Sequence, residues 1–73
     1  MTWKEDIQRL VEQNWRKGAQ FNLRDVYAAA GSIRRRHRGN SHPDDKIRQI
    51  LQELRDEGLL DFVDNQGTYL RLK

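Results

Sequence analysis

The side chains of this chain best suited to chemistry are the cations gathered near its centre. Residues 32–48 carry six Lys or Arg side chains against two acidic ones, whereas residues 49–73 carry three against five. A cluster of positive charge this dense is typical of a surface that binds phosphate groups. The alternative is a solvated basic loop that serves only solubility. The pattern favours a nucleic acid as the partner.

Amide and carboxylate side chains follow at spacings that suit the reading of bases. Asp45, Gln49 and Gln52 are three or four residues apart, so a helix places them on one face. Gln pairs with N6 and N7 of adenine, and Asp accepts a hydrogen bond from an exocyclic amine. The alternative for both glutamines is plain solvation on the outside of a helix. We predict that these three residues contact bases.

Catalysis by this chain alone is not expected. The sequence has no Cys and two His, which argues against disulfides, thiolate metal sites and a zinc site. Pro43-Asp44-Asp45-Lys46 resembles part of a nuclease motif, but its carboxylates fall in the first turn of a predicted helix, where they favour the helix dipole. The longest apolar run, Val26–Ala30, is too short to span a membrane. We expect no metal, no cofactor and no membrane partner.

Three amphipathic helices must position the basic and amide groups. The first spans about residues 3–16, and the second about 22–33. The third, about 42–57, is the clearest, and Gly58 is suited to end it in the left-handed conformation. Its predicted buried stripe consists of Ile47, Ile50, Leu51 and Leu54. Residues 31–46 contain one large apolar side chain, Ile33, which predicts a mostly exposed basic connection.

Two of these helices begin with recognisable capping residues. Asn22 is a good N-cap, and Asp25 stands three residues on, as in a capping box. Ser41 with Asp44 predicts the same arrangement before the third helix, and Pro43 suits its first turn. The N-terminal part of a recognition helix enters the major groove of DNA. We therefore expect the residues just before the third helix, and the cations in its first turns, to lie near the DNA phosphates. The predicted phosphate or loop contacts are Arg34, Arg35, Arg36, His37, Arg38, Asn40, Ser41, His42, Lys46 and Arg48.

Two strands complete the predicted fold. Residues 59–63 and 68–72 are separated by a turn at 64–67, which predicts a hairpin over about 59–72. Three helices followed by a hairpin within 73 residues predict one domain, residues 1–73. The fold class is α+β, mainly helical, with the layout of a winged helix-turn-helix. The turn carries no cation, so we expect no strong phosphate contact from the wing.

Residues 46–62, KIRQILQELRDEGLLDF, are more specific than a generic helix and strand. They resemble the C-terminal winged-helix domain of the methyl-directed, Dam-replacing restriction endonucleases. That family has K-I-R-Q-x-L-Q-x-L-R-D-x-G, then an apolar strand and a Gly-x-Tyr wing, here Gly67-Thr68-Tyr69. Residues 21–27, FNLRDVY, are similar to the family's F-x-L-x-D-V-Y helix. The chain departs from the family at Arg38, where Pro is usual, and in the Arg34–Arg36 run.

The resemblance implies a domain that binds duplex DNA containing N6-methyladenine, often in a GATC-like context, while a separate nuclease domain cuts. It places Lys46, Arg48, Gln49 and Gln52, with the loop before them, at the DNA. It also implies that Arg55 and Asp56 fix the third helix to the wing or to the first helix. We therefore expect the reader of a modification-dependent restriction system, bacterial or phage-associated, in the cytoplasm and at the nucleoid.

Two other functions fit the same sequence. One is a winged-helix transcriptional regulator that ignores methylation, for which self-association and a palindromic site would speak. The other is a protein-interaction module whose basic loop binds an acidic partner. DNA affinity that survives charge reversal at Arg34–Arg36 would favour this second alternative.

Overall fold

The structure is a computed structural model that describes residues 2–37, 39, 41–64 and 67–73. Over these residues it contains four helices and three short strands. The elements are α1 (Trp3–Asn14), β1 (Gln20–Asn22), α2 (Leu23–Ala29), α3 (Gly31–Arg36), α4 (Pro43–Asp56), β2 (Leu60–Phe62) and β3 (Thr68–Arg71). The mainly helical α+β class and the winged helix-turn-helix layout are confirmed.

The strands form one antiparallel sheet in the order β1-β3-β2. β3 is central, so Tyr69 lies opposite Phe21 on one side and opposite Phe62 on the other. The Tyr69 ring contacts both neighbouring rings, with Phe21 stacked on it and Phe62 meeting it edge-on. This aromatic row attaches the hairpin of β2 and β3, the wing, to the strand that leads into α2.

The core lies between the sheet and the helices. The helical stripe expected on the third helix is buried on α4, and α1 buries Ile7, Leu10 and Val11. Each fully buried aliphatic side chain contributes about 1.5–3 kcal/mol relative to its exposed state. The buried apolar residues are Ile7, Leu10, Val11, Phe21, Val26, Ala30, Ile33, Ile47, Ile50, Leu51, Leu54, Leu60 and Tyr69.

The predicted second helix differs from the structure, because the chain forms two helices with a break at Ala30. The amide of Ala30 donates to the carbonyl of Tyr27, three residues back, which tightens the last turn of α2. The break falls directly before Gly31, whose helix propensity is low. The predicted exposed connection is also corrected, since α3 continues to Arg36 and buries Ile33.

The capping predictions have opposite outcomes. Asn22 and Asp25 form the expected capping box at the start of α2. Ser41 is not the N-cap of α4, because the helix begins at Pro43 with His42 as N-cap and no side-chain capping bond. Asp44, the partner that Ser41 was expected to have, hydrogen-bonds to Arg34 instead. Strand β1 was not predicted at all.

Candidate nucleic-acid interface

The outward face of α4 carries the three predicted base contacts. Asp45, Gln49 and Gln52 are exposed, and they lie opposite the buried stripe that includes Ile47 and Leu51. The structure therefore brings them together on the surface that a recognition helix turns toward DNA. Their contact with bases remains a prediction.

One flank of α4 faces the beginning of α1. Lys46 is half-buried there, in a shallow groove of about 460 Å³ that is also lined by Trp3, His37 and Glu53. Its ammonium group belongs to the edge of the α4 face rather than to its centre. That Lys46 holds a DNA phosphate from this position remains a prediction.

The other flank of α4 faces the wing. Arg48 and Gln52 line a groove of about 430 Å³, together with the apolar side chains of Leu23, Phe62 and Tyr69. Arg48 is exposed at its edge. The groove is also lined by Asp64. A cation and an amide beside apolar side chains suit a nucleotide, whose base faces are apolar and whose backbone is anionic.

A second groove of about 450 Å³ adjoins the first and shares Leu23 and Asp64 with it. Arg24 and Tyr27 line it from α2. Arg24 and Arg48 are both exposed, and neither forms an ion pair with any described residue. Arg24 is not among the contacts predicted from the sequence. The available signal was its position in the first turn of the helix that crosses the DNA backbone in a helix-turn-helix.

Arg34, predicted as a phosphate contact, lies against the protein. Its Nη2 donates to Oδ1 of Asp44 at 2.7 Å, and its guanidinium carbon is 5.4 Å from the centre of the Tyr27 ring. The Tyr27 hydroxyl donates to the carbonyl of Asp44 at 3.5 Å. Burial raises the pKa of Tyr27, as does the Asp44 charge, so the hydroxyl keeps its proton at neutral pH.

His37 and Arg36, two further predicted contacts, are turned toward α1. Nε2 of His37 is 2.9 Å from Oδ2 of the buried Asp6, and Nη1 of Arg36 is 3.7 Å from its Oδ1. Trp3 stacks on the His37 ring at 4.7 Å between centres. The hydrogen bond from His37, assisted by the charge of Arg36, holds the pKa of Asp6 below its ordinary value despite burial. Both predicted contacts thus also have a structural partner.

The remaining predicted loop contacts are divided. Arg35 is exposed and forms no ion pair within the described part of the chain. Ser41 and His42 are exposed immediately before α4. Arg38 and Asn40 lie outside the described residues. Of the Arg34–Arg36 run, Arg35 is the side chain with the best access to a phosphate.

Arg55 joins α4 to the wing. Its guanidinium carbon lies 4.3 Å from the centre of the Phe62 ring, and Nη2 donates to Asp56 at 3.0 Å. The expectation that Arg55 fixes the helix to a neighbouring element is confirmed, and that element is β2. The contact holds the ring of Phe62, which lines the same groove as Gln52.

Two further observations bear on the kind of partner. No helix within the described residues combines the length and apolar character that a membrane span needs. The wing carries Asp61 and Asp64 but no cation from β2 through the turn, so its electrostatic attraction for phosphate is weak.

Comparison with protein families gives one match that covers almost the entire chain. The model of the family described as the Dam-replacing HTH domain matches residues 1–71. The match includes α4, both flanking grooves and the wing, in agreement with the resemblance seen in the sequence. This chain belongs to the Dam-replacing HTH domain family and is a DNA-binding helix-turn-helix domain.

Proposed function

We propose that this domain binds double-stranded DNA containing N6-methyladenine, in a GATC-like sequence, as the reader of a modification-dependent restriction system. The observation that carries the proposal is the pair Gln49 and Gln52 on the outward face of α4, in a chain of the Dam-replacing family. The domain supplies recognition, and a separate nuclease domain of the parent protein supplies cleavage.

The chemistry of the methylated base sets what α4 must offer. Adenine presents N7 as an acceptor and its N6 amino group in the major groove. In a paired N6-methyladenine the remaining N6–H bonds to thymine, so the methyl group points into the groove beside N7. A glutamine amide from α4 still donates to N7. The methyl group, however, requires an apolar neighbour.

The groove beside Gln52 provides such a neighbour. Leu23, Phe62 and the ring of Tyr69 line it together with the amide. Burial of one methyl group contributes about 0.8 kcal/mol, or about fourfold in affinity. Stronger discrimination requires that the unmethylated amino group lose water in the same place without finding a hydrogen-bond acceptor.

Phosphates on both sides of the helix complete the binding. Arg48 and Lys46 flank the α4 face, and Arg24 extends the positive surface along α2. Arg35, Ser41 and His42 lie before α4 and are exposed, and they are the further phosphate contacts of this proposal. Each contact between a Lys or Arg side chain and a phosphate releases counterions from the DNA, so it makes the affinity fall more steeply as the salt concentration rises.

Fluorescence anisotropy on one GATC duplex tests the proposal. The duplex is used unmethylated, hemimethylated and fully methylated at adenine N6, each at two salt concentrations. Tighter binding of methylated duplex at both salts supports the proposal. Equal binding of all three overturns it and favours the methylation-independent regulator. A Lys17→Gln variant is titrated in parallel as a control for the loss of one positive charge away from the proposed interface, because Lys17 lies between α1 and β1 and lines neither groove beside α4.

A further inference from the structure

Arg34 lies where three helices meet. It belongs to α3, its guanidinium donates to Asp44 in the first turn of α4, and it lies over the ring of Tyr27 in α2. Tyr27 in turn donates to the main-chain carbonyl of Asp44. These three contacts among three residues therefore connect α2 and α3 to the beginning of α4.

The surroundings of Arg34 hold its side chain in this orientation. The side chain is 35% exposed, against 57% for Asp44. Its Nε is buried and has no hydrogen-bond partner among the described residues. The hydrogen bond to Asp44 and the contact with the Tyr27 ring restrict the guanidinium. A lone surface ion pair contributes little. A planar guanidinium that stacks and donates at once is more restricted than a lysine in the same place.

The position of Asp44 gives this arrangement its consequence. Asp44 is the second residue of α4, and the first turns of a recognition helix are the part that enters the major groove. Asp45 follows directly and Gln49 one turn later, so a rotation of the first turn changes where both point. The contact with Arg34 therefore restricts the direction of the α4 face.

We propose that Arg34 is a positioning residue, which orients the first turn of α4 through Asp44 and Tyr27 and does not bind a DNA phosphate. The inference rests on the proposed function only in that α4 reads DNA. Arg35, one residue on, is exposed and without an ion pair to the described residues, and it is the phosphate ligand of the pair. The two neighbouring arginines thus have different tasks.

Salt dependence separates the two tasks. Loss of one phosphate contact reduces the slope of log affinity against log salt by about 0.9 in magnitude. We expect Arg35→Gln to show this reduction while the affinity ratio of target to scrambled duplex stays constant. Arg34→Gln, which removes the same charge, leaves the slope unchanged and lowers the ratio about tenfold, within the range for one lost base contact. A reduced slope in Arg34→Gln overturns the proposal, and so does an unchanged ratio.

A double-mutant cycle with Asp44→Asn tests whether Arg34 acts through Asp44. Removing the Asp44 charge strengthens binding to all duplexes, so this effect cancels in the affinity ratio. If Arg34 acts through Asp44, Arg34→Gln changes the ratio much less in the Asp44→Asn background than in the wild type. A full, additive effect in both backgrounds contradicts the proposal.

Two further measurements keep the result interpretable. Circular dichroism melting shows which variants are folded at the assay temperature. If Arg34→Gln is not, Arg34→Lys retains the charge, and we expect an unchanged slope with a lowered ratio, because lysine lacks the planar fork. Should the wild type prefer the target to the scrambled duplex but not distinguish methylated from unmethylated DNA, the proposed function fails alone, since the slope, the ratio and the cycle are all measurable on unmethylated target.

Discussion

The carboxylate of Asp6 accepts a hydrogen bond from Nε2 of His37 at 2.9 Å, between residues 31 positions apart. Asp6 is 4% exposed, and its lowered pKa keeps it ionised, so the proton of the bond belongs to the histidine nitrogen. Trp3 covers the face of the same ring. The end of α3 is thereby joined to α1, immediately before the connection that leads to α4.

Replacement of Asp6 should therefore destabilise the fold. We expect Asp6→Ala to lower the free energy of unfolding by about 1–3 kcal/mol at pH 7, the cost of a buried polar partner left unsatisfied. Asp6→Asn keeps an acceptor oxygen and should lose less. Urea denaturation followed by circular dichroism measures both, and equal stability of Asp6→Ala and wild type would contradict the prediction.

The same carboxylate gives stability an acid dependence. Because its folded pKa lies below the ordinary value of 3.8, Asp6 stabilises the fold above that value and contributes less as pH falls through the folded pKa. The difference in unfolding free energy between wild type and Asp6→Asn should thus shrink as the pH falls below about 4. Urea denaturation across this range tests the sign.

Ile33 is the residue that attaches α3 to the core. It is 4% exposed, so Ile33→Ala should cost about 2–5 kcal/mol of unfolding free energy. Val63, 46% exposed in the wing, is a matched control for which Val63→Ala should change stability by less than about 0.5 kcal/mol. Thermal and urea unfolding of the two variants compare a buried with an exposed aliphatic side chain.

Gln49 and Gln52 should affect specificity without affecting charge. Each replacement by Ala is expected to weaken binding of the target duplex by about 0.5–1.5 kcal/mol, the contribution of one hydrogen bond to a base. Binding to scrambled duplex and the salt slope should remain as in the wild type. Gln13→Ala, at an exposed position of α1, serves as control. Equal losses on target and scrambled duplexes would assign both glutamines to general affinity only.

Arg24 should behave in the opposite way. Arg24→Gln is expected to reduce the magnitude of the salt slope by about 0.9, because one counterion fewer is released. Methylated and unmethylated duplexes should lose affinity equally. Titrations at several salt concentrations, with Lys17→Gln alongside, measure this. An unchanged slope would remove Arg24 from the interface.

The two glycines at helix boundaries should respond with opposite signs. Gly58 has φ +83°, and the nearest atom to an added Cβ is 4.0 Å away, so Gly58→Ala costs about 1–2 kcal/mol through the backbone alone. Gly31 is helical with 3.9 Å of clearance. Gly31→Ala should stabilise by up to about 1 kcal/mol. Melting temperatures of the two variants should move in opposite directions.

Long periodic elements were predictable from the sequence, and short ones were not. Helix α4 has 14 residues and spans about four turns, so its buried stripe and the opposite face with Gln49 and Gln52 follow from helical geometry. β1 has three residues and α3 has six, too few for a repeat to show. Both exist because tertiary partners hold them, β3 for the first and the core around Ile33 for the second.

The partners of charged side chains were likewise beyond the sequence. Arg34 meets Asp44 ten positions on, and His37 meets Asp6 on another helix. A run of arginines indicates phosphate binding by its density, but it does not reveal which members the fold engages. Arg24 was overlooked for the opposite reason, since a single cation outside the cluster becomes notable only when the groove beside α4 is seen.

The wing and the start of α2 are joined before any DNA arrives. The amide of Leu23 donates to the carbonyl of Gly67 at 2.8 Å. Tyr69, in the central strand β3, lies opposite Phe21 in β1 and opposite Phe62 in β2. The described walls of the grooves beside α4 are therefore preorganised. Little conformational entropy remains to be lost there on binding, which favours rapid association and a small heat-capacity change from coupled folding.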